Sequence, residues 1–474
     1  MKNIKHLFII ISFVLGFSAC SEDYLEREPI LENSRELILS DREGMALALN
    51  GLYAEFYHTA WYGAGFPIIA DLKGNNGKSS PMSSGRYQTN YNWYQDPSNT
   101  QGGLWFRAYR AITSACNIIN AHENVTPRPG ERQAHLDHIK AEALFVRALG
   151  HFDLVRTFAQ PYTHQPDGLG VPVVLVTQIA SPARNTTREV YQQIVGDLTE
   201  ARGLFSNDYN QEFRSSAQNM RGFASRDAAT ALLARVHLYM GEYAQAATYA
   251  TEIIDSDRYQ LYTADNYATV WGKNAQSEII FEISGSTGNS NWPSWEELGY
   301  IYYPGGAYGD VSASNDLLNL FEAGDVRRDL FVGSAVHPGF YWPGKYPGKE
   351  GNERQNNIPV LRLSEMYLIR AEARLQGAPG NALDDYNAIR TRRGLDAATA
   401  VTFDEIFDER RRELCFEAHV LFDYARTQRT LLRQDEDNRI AGPVNIEFPN
   451  HLWAMPIPIQ EMEANPNMQQ NPGY

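Results

Sequence analysis

The chain has 474 residues, of which 43% are hydrophobic and 12% are aromatic, so it is long enough to bury a large core. Its formal net charge is −15 at pH 7, and the basic residues form no stripe along the sequence. Proteins that bind nucleic acid present clustered positive charge, so the composition excludes a nucleic-acid partner.

The N-terminal twenty residues have the pattern of an exported protein's leader. Lys2 and Lys5 precede an apolar run, Leu7–Phe17, and small residues follow it up to Cys20. A basic start, a short apolar core and small residues before a cleavage point are typical of a secretory leader. Because the segment ends at a cysteine, it resembles a bacterial lipoprotein signal, which predicts removal of residues 1–19 and acylation of the Cys20 thiol. An ordinary signal peptide with an incidental cysteine is the alternative.

Beyond the leader, apolar residues recur at helical spacing over long stretches, which predicts a mainly α protein. Residues 60–103 are rich in glycine, serine, asparagine and rings, and they lack this period. Residues 161–182 carry prolines and a valine run, so we expect a connector with a short strand at Val171–Val176. Thr186–Glu189 has the pattern of a capping box that opens the fourth helix. The predicted helices are 36–57, 104–121, 132–158, 190–204, the hairpin 225–256, 363–375, 382–392 and 409–426.

The hairpin Ser225–Ser256 organises the rest of the chain. Its two amphipathic halves are separated only by Gly241, so they must fold back on each other. The spacing from Gly241 through Tyr243 to Ala246 resembles a tetratricopeptide unit, although the Trp of that motif is absent. Such a hairpin needs stacked neighbours to bury its apolar face. Pairing the helices in chain order predicts a tetratricopeptide-like stack of four helix pairs; an unrelated helical hairpin is the alternative.

A large insertion, residues 257–357, interrupts this stack before its fourth pair. Its segment Glu278–Ser284 is rich in β-formers with partial alternation, which predicts a strand. Most of the remainder has loop composition, yet six of the seventeen residues in Trp292–Tyr308 are aromatic. Because this ring content favours ordered packing, we predict an irregular, loop-rich α/β insertion rather than a disordered linker.

A set of motifs is distributed over nearly the whole chain. The segments are Cys20 with Asp23-Tyr24-Leu25, 141–162, Leu363–Glu372, Glu409–Glu417 with Asp423, Trp453–Pro458, Asn465–Asn467 and Gln470–Tyr474. They resemble those of SusD/RagB-type lipoproteins, which capture glycans for an outer-membrane transporter. They also occur in the order in which that family has them, so the set is far more specific than any single motif. The chain departs from the family at Ala418 and Val420, where the family usually has Gly and Arg.

The resemblance implies non-catalytic capture of an oligosaccharide at the cell surface and its delivery to a SusC-like, TonB-dependent transporter, with no cofactor. The acidic Ser21-Glu22-Asp23 resembles the tag that sends such lipoproteins to the surface, so we expect a lipid-anchored outer-membrane protein that faces the cell exterior. Alternatives are a binder of peptide or another nutrient on the same scaffold, a surface glycoside hydrolase, and a helical-repeat adaptor for protein partners. The expected parts are a signal peptide at 1–19 and one SusD-like domain at 20–474, comprising a helical scaffold at 34–256 and 358–426, the insertion at 257–357 and a closing segment at 427–474.

Aromatic rings in loops suit sugar binding, because pyranose C–H groups stack on ring faces while polar side chains hydrogen-bond the hydroxyls. The resemblance implies that loops from the first helix pair and from the insertion meet on one face and hold the glycan. For each ring, packing into the core is the alternative. The candidates from the first region are Asp71, Tyr87, Tyr91, Trp93, Tyr94 and Asn99, and those from the insertion are Asn289, Asn291, Trp292, Trp295, Tyr300, Tyr302 and Tyr303.

The charged helix 409–426 carries Glu413 and Glu417 one turn apart, which a catalytic interpretation would use as paired carboxylates. Helix neighbours are too close for an inverting pair, and they lie on the wrong side for attack across a sugar. We therefore expect them to neutralise arginines in a semi-buried structural network. No catalytic site is predicted, and the eleven histidines show no metal-binding spacing, so no metal site is predicted either.

Two further cysteines, Cys116 and Cys415, follow the acylated one. An exported protein could bridge them, but both fall within helical patterns, where buried unpaired thiols are common. We therefore expect both to be free thiols rather than a disulfide.

Replacing Cys20 with alanine is expected to release the protein from the outer membrane, because it removes the thiol that would carry the lipid. The measurement is the distribution of the protein between membrane and soluble fractions. Cys116→Ala, which removes a thiol outside the leader, is the matched control and should leave the protein in the membrane fraction. A Cys20→Ala protein that fractionates like the unchanged chain would disprove the anchor.

Overall fold

The computed structural model describes residues 36–217, 219–285, 296–305, 308–349, 351–352, 355–434 and 440–474. The predicted leader with Cys20, and the stretch 286–295 that contains Asn289, Asn291, Trp292 and Trp295, lie outside these residues. Among the residues that are described, no helix combines the length and the apolar character needed to cross a membrane.

The described chain is mainly helical, and most of its helices lie where the 3.6-residue period predicts them. Thr186 and Glu189 form the predicted capping box at the start of the helix that begins at Thr187. The helices are α1 Arg42–Phe56, α2 Gly65–Lys73, α3 Gln88–Tyr91, α4 Gly102–His122, α5 Gln133–Phe158, α6 Thr187–Leu204, α7 Tyr209–Phe213, α8 Arg226–Met240, α9 Tyr243–Ile254, α10 Leu298–Ile301, α11 Asn315–Leu318, α12 Leu363–Leu375, α13 Ala382–Arg392, α14 Phe403–Glu413, α15 Val420–Arg426 and α16 Ile459–Ala464.

The long helices form four pairs that stack in chain order. The pairs are α1 with α4, α5 with α6, α8 with α9, and α12 with α13. Successive pairs touch through α4 and α5, through α6 and α8, and through α9 and α12. Each pair therefore buries its apolar face against a neighbour, which confirms the predicted tetratricopeptide-like stack.

Local sequence signals define the central hairpin of α8 and α9. The Ser225 side chain accepts a hydrogen bond from the Ala228 amide at 3.1 Å and so caps α8. The helix ends at Gly241, whose φ of 74° lies in the left-handed region that glycine adopts without steric cost. Ala234 and Ala246 are fully buried, so small side chains let the two helices approach closely.

Four short antiparallel ladders organise the insertion and the C-terminal segment. They pair β1 Gly77–Ser79 with β3 Val311–Ala313, β2 Ile279–Ile283 with β6 Ile358–Arg362, β4 Phe331–Gly333 with β5 Tyr341–Pro343, and β7 Leu431–Leu432 with β8 Asn445–Ile446. The β2–β6 ladder confirms the strand predicted at 278–284 and closes the insertion at its base. The β1–β3 ladder fastens the chain after α2 to the insertion.

Two local predictions are wrong. The valine run 171–176 forms no strand; it lies along α4, where the Leu175 carbonyl accepts a hydrogen bond from Asn120 Nδ2 at 3.2 Å. Residues 60–103, which lack a helical period, nevertheless contain α2 and α3. Every residue of α2 is buried, so no polar stripe reveals its period in the sequence.

The predicted helix 409–426 is two helices, because α14 ends at Glu413 and α15 begins at Val420. Between them Phe416 and Ala418 have φ angles of 63° and 64°. This left-handed backbone cannot continue a right-handed helix. The glycine that the family usually has at the position of Ala418 would adopt this conformation at lower cost.

A buried network of arginines and carboxylates joins α14 to the insertion, which confirms the structural interpretation of Glu413 and Glu417. Glu413 Oε1 accepts hydrogen bonds from Arg362 and Arg393 at 2.8 Å each. Its Oε2 accepts from Arg393 at 3.0 Å and from Arg327 at 3.1 Å. Burial alone would raise the pKa of Glu413, but the three guanidinium groups hold it well below its usual range. The carboxylate is thus fully engaged in the scaffold.

Both remaining cysteines are buried free thiols, as predicted. Burial raises the pKa of Cys116 above its usual value and that of Cys415 to about 11. Since the thiolate is the reactive form, both side chains act as small packing residues.

Glu413→Ala is expected to destabilise the fold by about 3–5 kcal/mol, because it leaves three buried arginines without their shared carboxylate. Urea unfolding followed by circular dichroism measures the loss. Glu322→Ala is the matched control: the Glu322 side chain is half exposed and pairs with Arg390, so its loss should cost no more than about 1 kcal/mol. Equal losses for the two variants would contradict the assignment.

Candidate functional site

A cleft of about 480 Å³ opens where the loop after α1, the segments around α3 and the start of α4 meet the insertion. This volume falls within the range that small-ligand sites occupy. Its lining residues are Thr59, Ala60, Gly65, Ile69, Gly85, Tyr87, Gln88, Thr89, Asn90, Asn99, Thr100, Gln101, Gly103 and Glu296.

The insertion is fastened to the first helix pair beside this cleft. The Leu298 amide donates to the Gly63 carbonyl at 3.0 Å. Tyr57, the residue after α1, donates a hydrogen bond from Oη to Glu297 Oε2 at 2.9 Å. The two regions from which the sequence predicted a site are therefore brought together here.

Tyr87 provides the aromatic ring of the cleft. It is half-buried, and its φ of 59° places a bulky side chain in the sparsely populated left-handed region. Such strain persists only where the surroundings enforce it, and it clusters at ligand sites. Burial raises the pKa of the Tyr87 phenol above its usual value, and the nearby carboxylates Glu296 and Asp310 raise it further. The ring therefore keeps a neutral hydroxyl that can both donate and accept.

Carboxamide and hydroxyl side chains form the polar wall around Tyr87. Asn99 is held at its edge by a turn in which Asp96 Oδ1 accepts from the Ser98 and Asn99 amides at 2.7 and 3.0 Å. Two lining residues, Ala60 and Gly103, lie close together, because a Cβ added at Gly103 would lie 2.8 Å from Ala60 Cβ. Only glycine permits this approach of α4 to the loop.

The structure corrects the prediction for Asp71. Its side chain is fully buried, and Oδ1 accepts hydrogen bonds from the Phe416 amide at 2.8 Å and from Asn76 Nδ2 at 3.2 Å. Burial raises the pKa of this carboxyl to about 7. Asp71 therefore joins α2 to the turn between α14 and α15 and does not reach a ligand.

Three predicted rings are also core residues, each 2% exposed: Tyr91, Trp93 and Tyr302. Trp93 has the Lys73 ammonium 3.6 Å from its ring centroid and packs edge-on against Trp453 at 5.4 Å. Expecting these three to contact a glycan was wrong, because rings without accessible surface cannot stack on a sugar. Tyr302 packs with Tyr346 and Phe416, and Tyr91 with Arg433.

The remaining predicted rings lie at the surface but outside the lining of the cleft. Tyr94 is 54% exposed, and its hydroxyl donates to the Ala441 carbonyl. Tyr303 is 40% exposed, and Tyr300 is half-buried against Tyr308. Of the candidates within the described residues, Tyr87 and Asn99 are the two that line the cleft.

Sequence reasoning missed several cleft residues that were within its reach. Gln88, Thr89 and Asn90 directly follow Tyr87, and Thr100 and Gln101 directly follow Asn99. A run of uncharged polar residues beside a predicted loop ring was the signal that could have found them. Across the described ranges, no cluster of three or more histidine, cysteine or acidic side chains could hold a metal ion.

The fold and the cleft define a helical-repeat protein with a candidate ligand site on its loops. A family model described as the SusD family matches residues 337–474, and one described as starch-binding associating with outer membrane matches residues 23–238. A solved SusD superfamily protein from Bacteroides thetaiotaomicron is 30% identical, with a TM-score of 0.83 over 91% of this chain and 100% of that one. The chain belongs to the SusD family.

Two curated relatives are similar to the chain over very different lengths. SusD-like protein P2 of Formosa agariphila is 24% identical over 100% of both chains. The starch-binding protein SusD of Bacteroides thetaiotaomicron is 33% identical over 123 residues, which are 25% of this chain and 22% of that one. Similarity to the first therefore extends over the full length, and similarity to the second is confined to a quarter of the chain.

Asp71→Asn is expected to flatten the dependence of stability on pH. A carboxyl with a folded-state pKa of about 7 and an unfolded value of 3.8 stabilises the fold at low pH and loses this contribution as pH rises through 7. Between pH 5 and pH 8 the wild type should lose about 2–3 kcal/mol more stability than the variant. Unfolding free energies at the two pH values measure it.

Burial also raises the pKa of Glu282 to about 7, so Glu282 contributes a similar slope to both proteins. The comparison between wild type and Asp71→Asn cancels this shared contribution. Identical pH slopes in the two proteins would show that Asp71 is ionised throughout the range.

Proposed function

We propose that this protein captures an oligosaccharide at the cell surface without transforming it and delivers it to a SusC-like, TonB-dependent outer-membrane transporter. The observation that carries the proposal is the cleft in which the strained Tyr87 ring stands among carboxamide and hydroxyl side chains. Membership of a family with a starch-binding, outer-membrane description supports the same function.

The chemistry of the cleft matches that of a sugar ring. A pyranose has an apolar face of C–H groups and an equator of hydroxyls that both donate and accept hydrogen bonds. The Tyr87 ring can stack on the C–H face. The hydroxyls can exchange hydrogen bonds with the carboxamides of Gln88, Asn90, Asn99 and Gln101. Loops on a rigid helical stack hold these groups in place before the ligand arrives.

The carboxylates support binding rather than hydrolysis. Glycosidases use two carboxyl groups on either side of the scissile bond. The described lining of the cleft has one, Glu296. Glu413 and Glu417 are committed to buried arginines elsewhere, and Arg362 contacts both.

The leader supports the cellular part of the proposal. A lipid on Cys20 would tether the chain to the outer membrane, and the acidic residues after it would direct it to the exterior. The transporter would be bound through the helical stack and the termini, because this arrangement leaves the cleft and the loops around it open to the glycan.

Tyr87→Ala is expected to weaken glycan binding about ten- to a hundredfold, since stacking a flat ring on an aromatic side chain contributes roughly 1–3 kcal/mol. Affinity gel electrophoresis over starch and a panel of other polysaccharides identifies a ligand, and calorimetry then compares the variants. Tyr87→Phe should retain most of the affinity because it keeps the ring. Tyr94→Ala, which removes an exposed ring outside the cleft, is the matched control and should bind like the wild type.

Thermal unfolding of the same variants separates a lost contact from a damaged fold. Tyr87→Ala should melt close to the wild type while losing affinity. If Tyr94→Ala lost the ligand and Tyr87→Ala kept it, the glycan would bind elsewhere. Release of shortened sugars from a bound polysaccharide would instead identify a hydrolase.

A further inference from the structure

We propose, on the basis of the function proposed above, that the same cleft selects uncharged saccharides and rejects glycans that carry carboxylate or sulfate groups. The charges that line and surround the cleft point to this class of ligand. Among its described lining residues, Glu296 is the one that carries a charge; the polar remainder consists of four carboxamides, three threonines and the neutral Tyr87 phenol.

The cation beside the cleft is already neutralised. Arg86 places Nε 3.5 Å from Glu296 Oε1 and one terminal nitrogen 3.6 Å from Asp310 Oδ2. Its guanidinium also lies over the Tyr308 ring, 4.1 Å from the centroid. Two carboxylates of the chain itself therefore face this guanidinium and compensate its charge.

The other cations of the first region are buried away from the cleft. Residues 59–106 contain two lysines besides Arg86, and each has its ammonium over a ring. Lys73 lies 3.6 Å from the Trp93 centroid, and burial holds its pKa well below the usual value. Lys78 lies 4.8 Å from the Phe340 centroid and is 4% exposed. Neither lines the cleft.

The part of the insertion that contains Glu296 supplies no cation either. Residues 274–326 contain eight aspartates and glutamates and no lysine, arginine or histidine. On α4, Arg107 and Arg110 both pair with Glu55, at 3.1 and 3.0 Å, and do not line the cleft. Among the described residues that line the cleft, an anionic ligand therefore meets no side chain of opposite charge.

An uncompensated anion in such a cleft loses hydration and is repelled by Glu296, and it gains no ion pair in return. A neutral hydroxyl is not repelled by Glu296. When it loses its hydrating water, a carboxamide can replace that water because it supplies both a hydrogen-bond donor and an acceptor. At a partly exposed site, one unscreened like-charge contact is worth about a tenfold change in affinity.

The test compares polysaccharides that differ in charge and share a backbone. Calorimetry and affinity electrophoresis would use the full chain purified in detergent, with polygalacturonate against its methyl ester, dextran sulfate against dextran, and a wider panel of neutral polysaccharides. We expect every bound polymer to be neutral, and each charged member to bind at least about tenfold more weakly than its neutral counterpart wherever that counterpart binds.

Glu296→Lys tests the origin of the selectivity. It places a cation at the cleft and should raise the affinity for polygalacturonate or dextran sulfate at least about tenfold, with an effect that fades at high salt. Glu296→Gln should fall between this variant and the wild type. Glu200→Lys changes the net charge by the same amount at an exposed residue outside the cleft and should leave both affinities unchanged.

The possible results separate this inference from the function on which it rests. Tighter binding of the wild type to a charged polymer would overturn the selectivity and leave glycan capture standing. An unchanged affinity of Glu296→Lys for anionic polymers would also overturn it. Failure of the wild type to bind any polysaccharide in the panel would overturn glycan capture itself.

Discussion

The buried ion-pair network around Glu413 holds the insertion on the helical stack, and the cleft depends on that attachment. A charge taken out of water costs several kcal/mol unless a partner of opposite sign and good geometry compensates it. Among the described residues of this network five cations face five carboxylates, so the network carries no net charge. The members are Arg327, Lys345, Arg362, Arg393 and Arg412 with Glu278, Asp325, Glu409, Glu413 and Glu417.

A short chain of contacts connects this network to the cleft. Glu417 accepts a hydrogen bond from Lys345 in the insertion, and the neighbouring Phe416 amide donates to Asp71 on α2. From α2 the chain runs through β1, which pairs with the insertion, to Tyr87 at the start of α3. The loops that line the cleft are therefore connected, through α2 and β1, to the same side chains that hold the insertion on the helical stack.

Charge is consequently distributed in opposite ways in the two parts of the molecule. The scaffold concentrates charged groups and pairs them, which fixes one arrangement of helices and insertion. The cleft is lined mainly by neutral polar groups, which would hydrogen-bond a ligand without the desolvation cost of an ion. Under the proposed function, the polarity of these loops would determine which saccharides bind, while the paired charges fix the scaffold.

The sequence by itself determined the helical stack, because its signals are local. Ser225 caps α8, Gly241 ends it, and the apolar stripe of each helix repeats within a few residues. The free thiols and the strand β2 were predicted for the same reason. The expectation that loops of the first helix pair and of the insertion meet on one face came from the family resemblance and not from a local signal. Tyr87 and Asn99 were identified because a ring or an amide in a polar loop is a local pattern.

Tertiary structure alone decided which of these loop residues face solvent. Trp93 lies six residues after Tyr87 in the same ring-rich segment, yet it is buried, and so is Asp71 in α2. Their partners are distant in the chain: the Phe416 amide that Asp71 accepts from is 345 positions away. The solvent exposure of a side chain depends on residues that are distant in the chain and pack against it. It therefore cannot be predicted from a short window of sequence. The break between α14 and α15 has the same origin, because Phe416 adopts its left-handed backbone where its amide meets the buried Asp71.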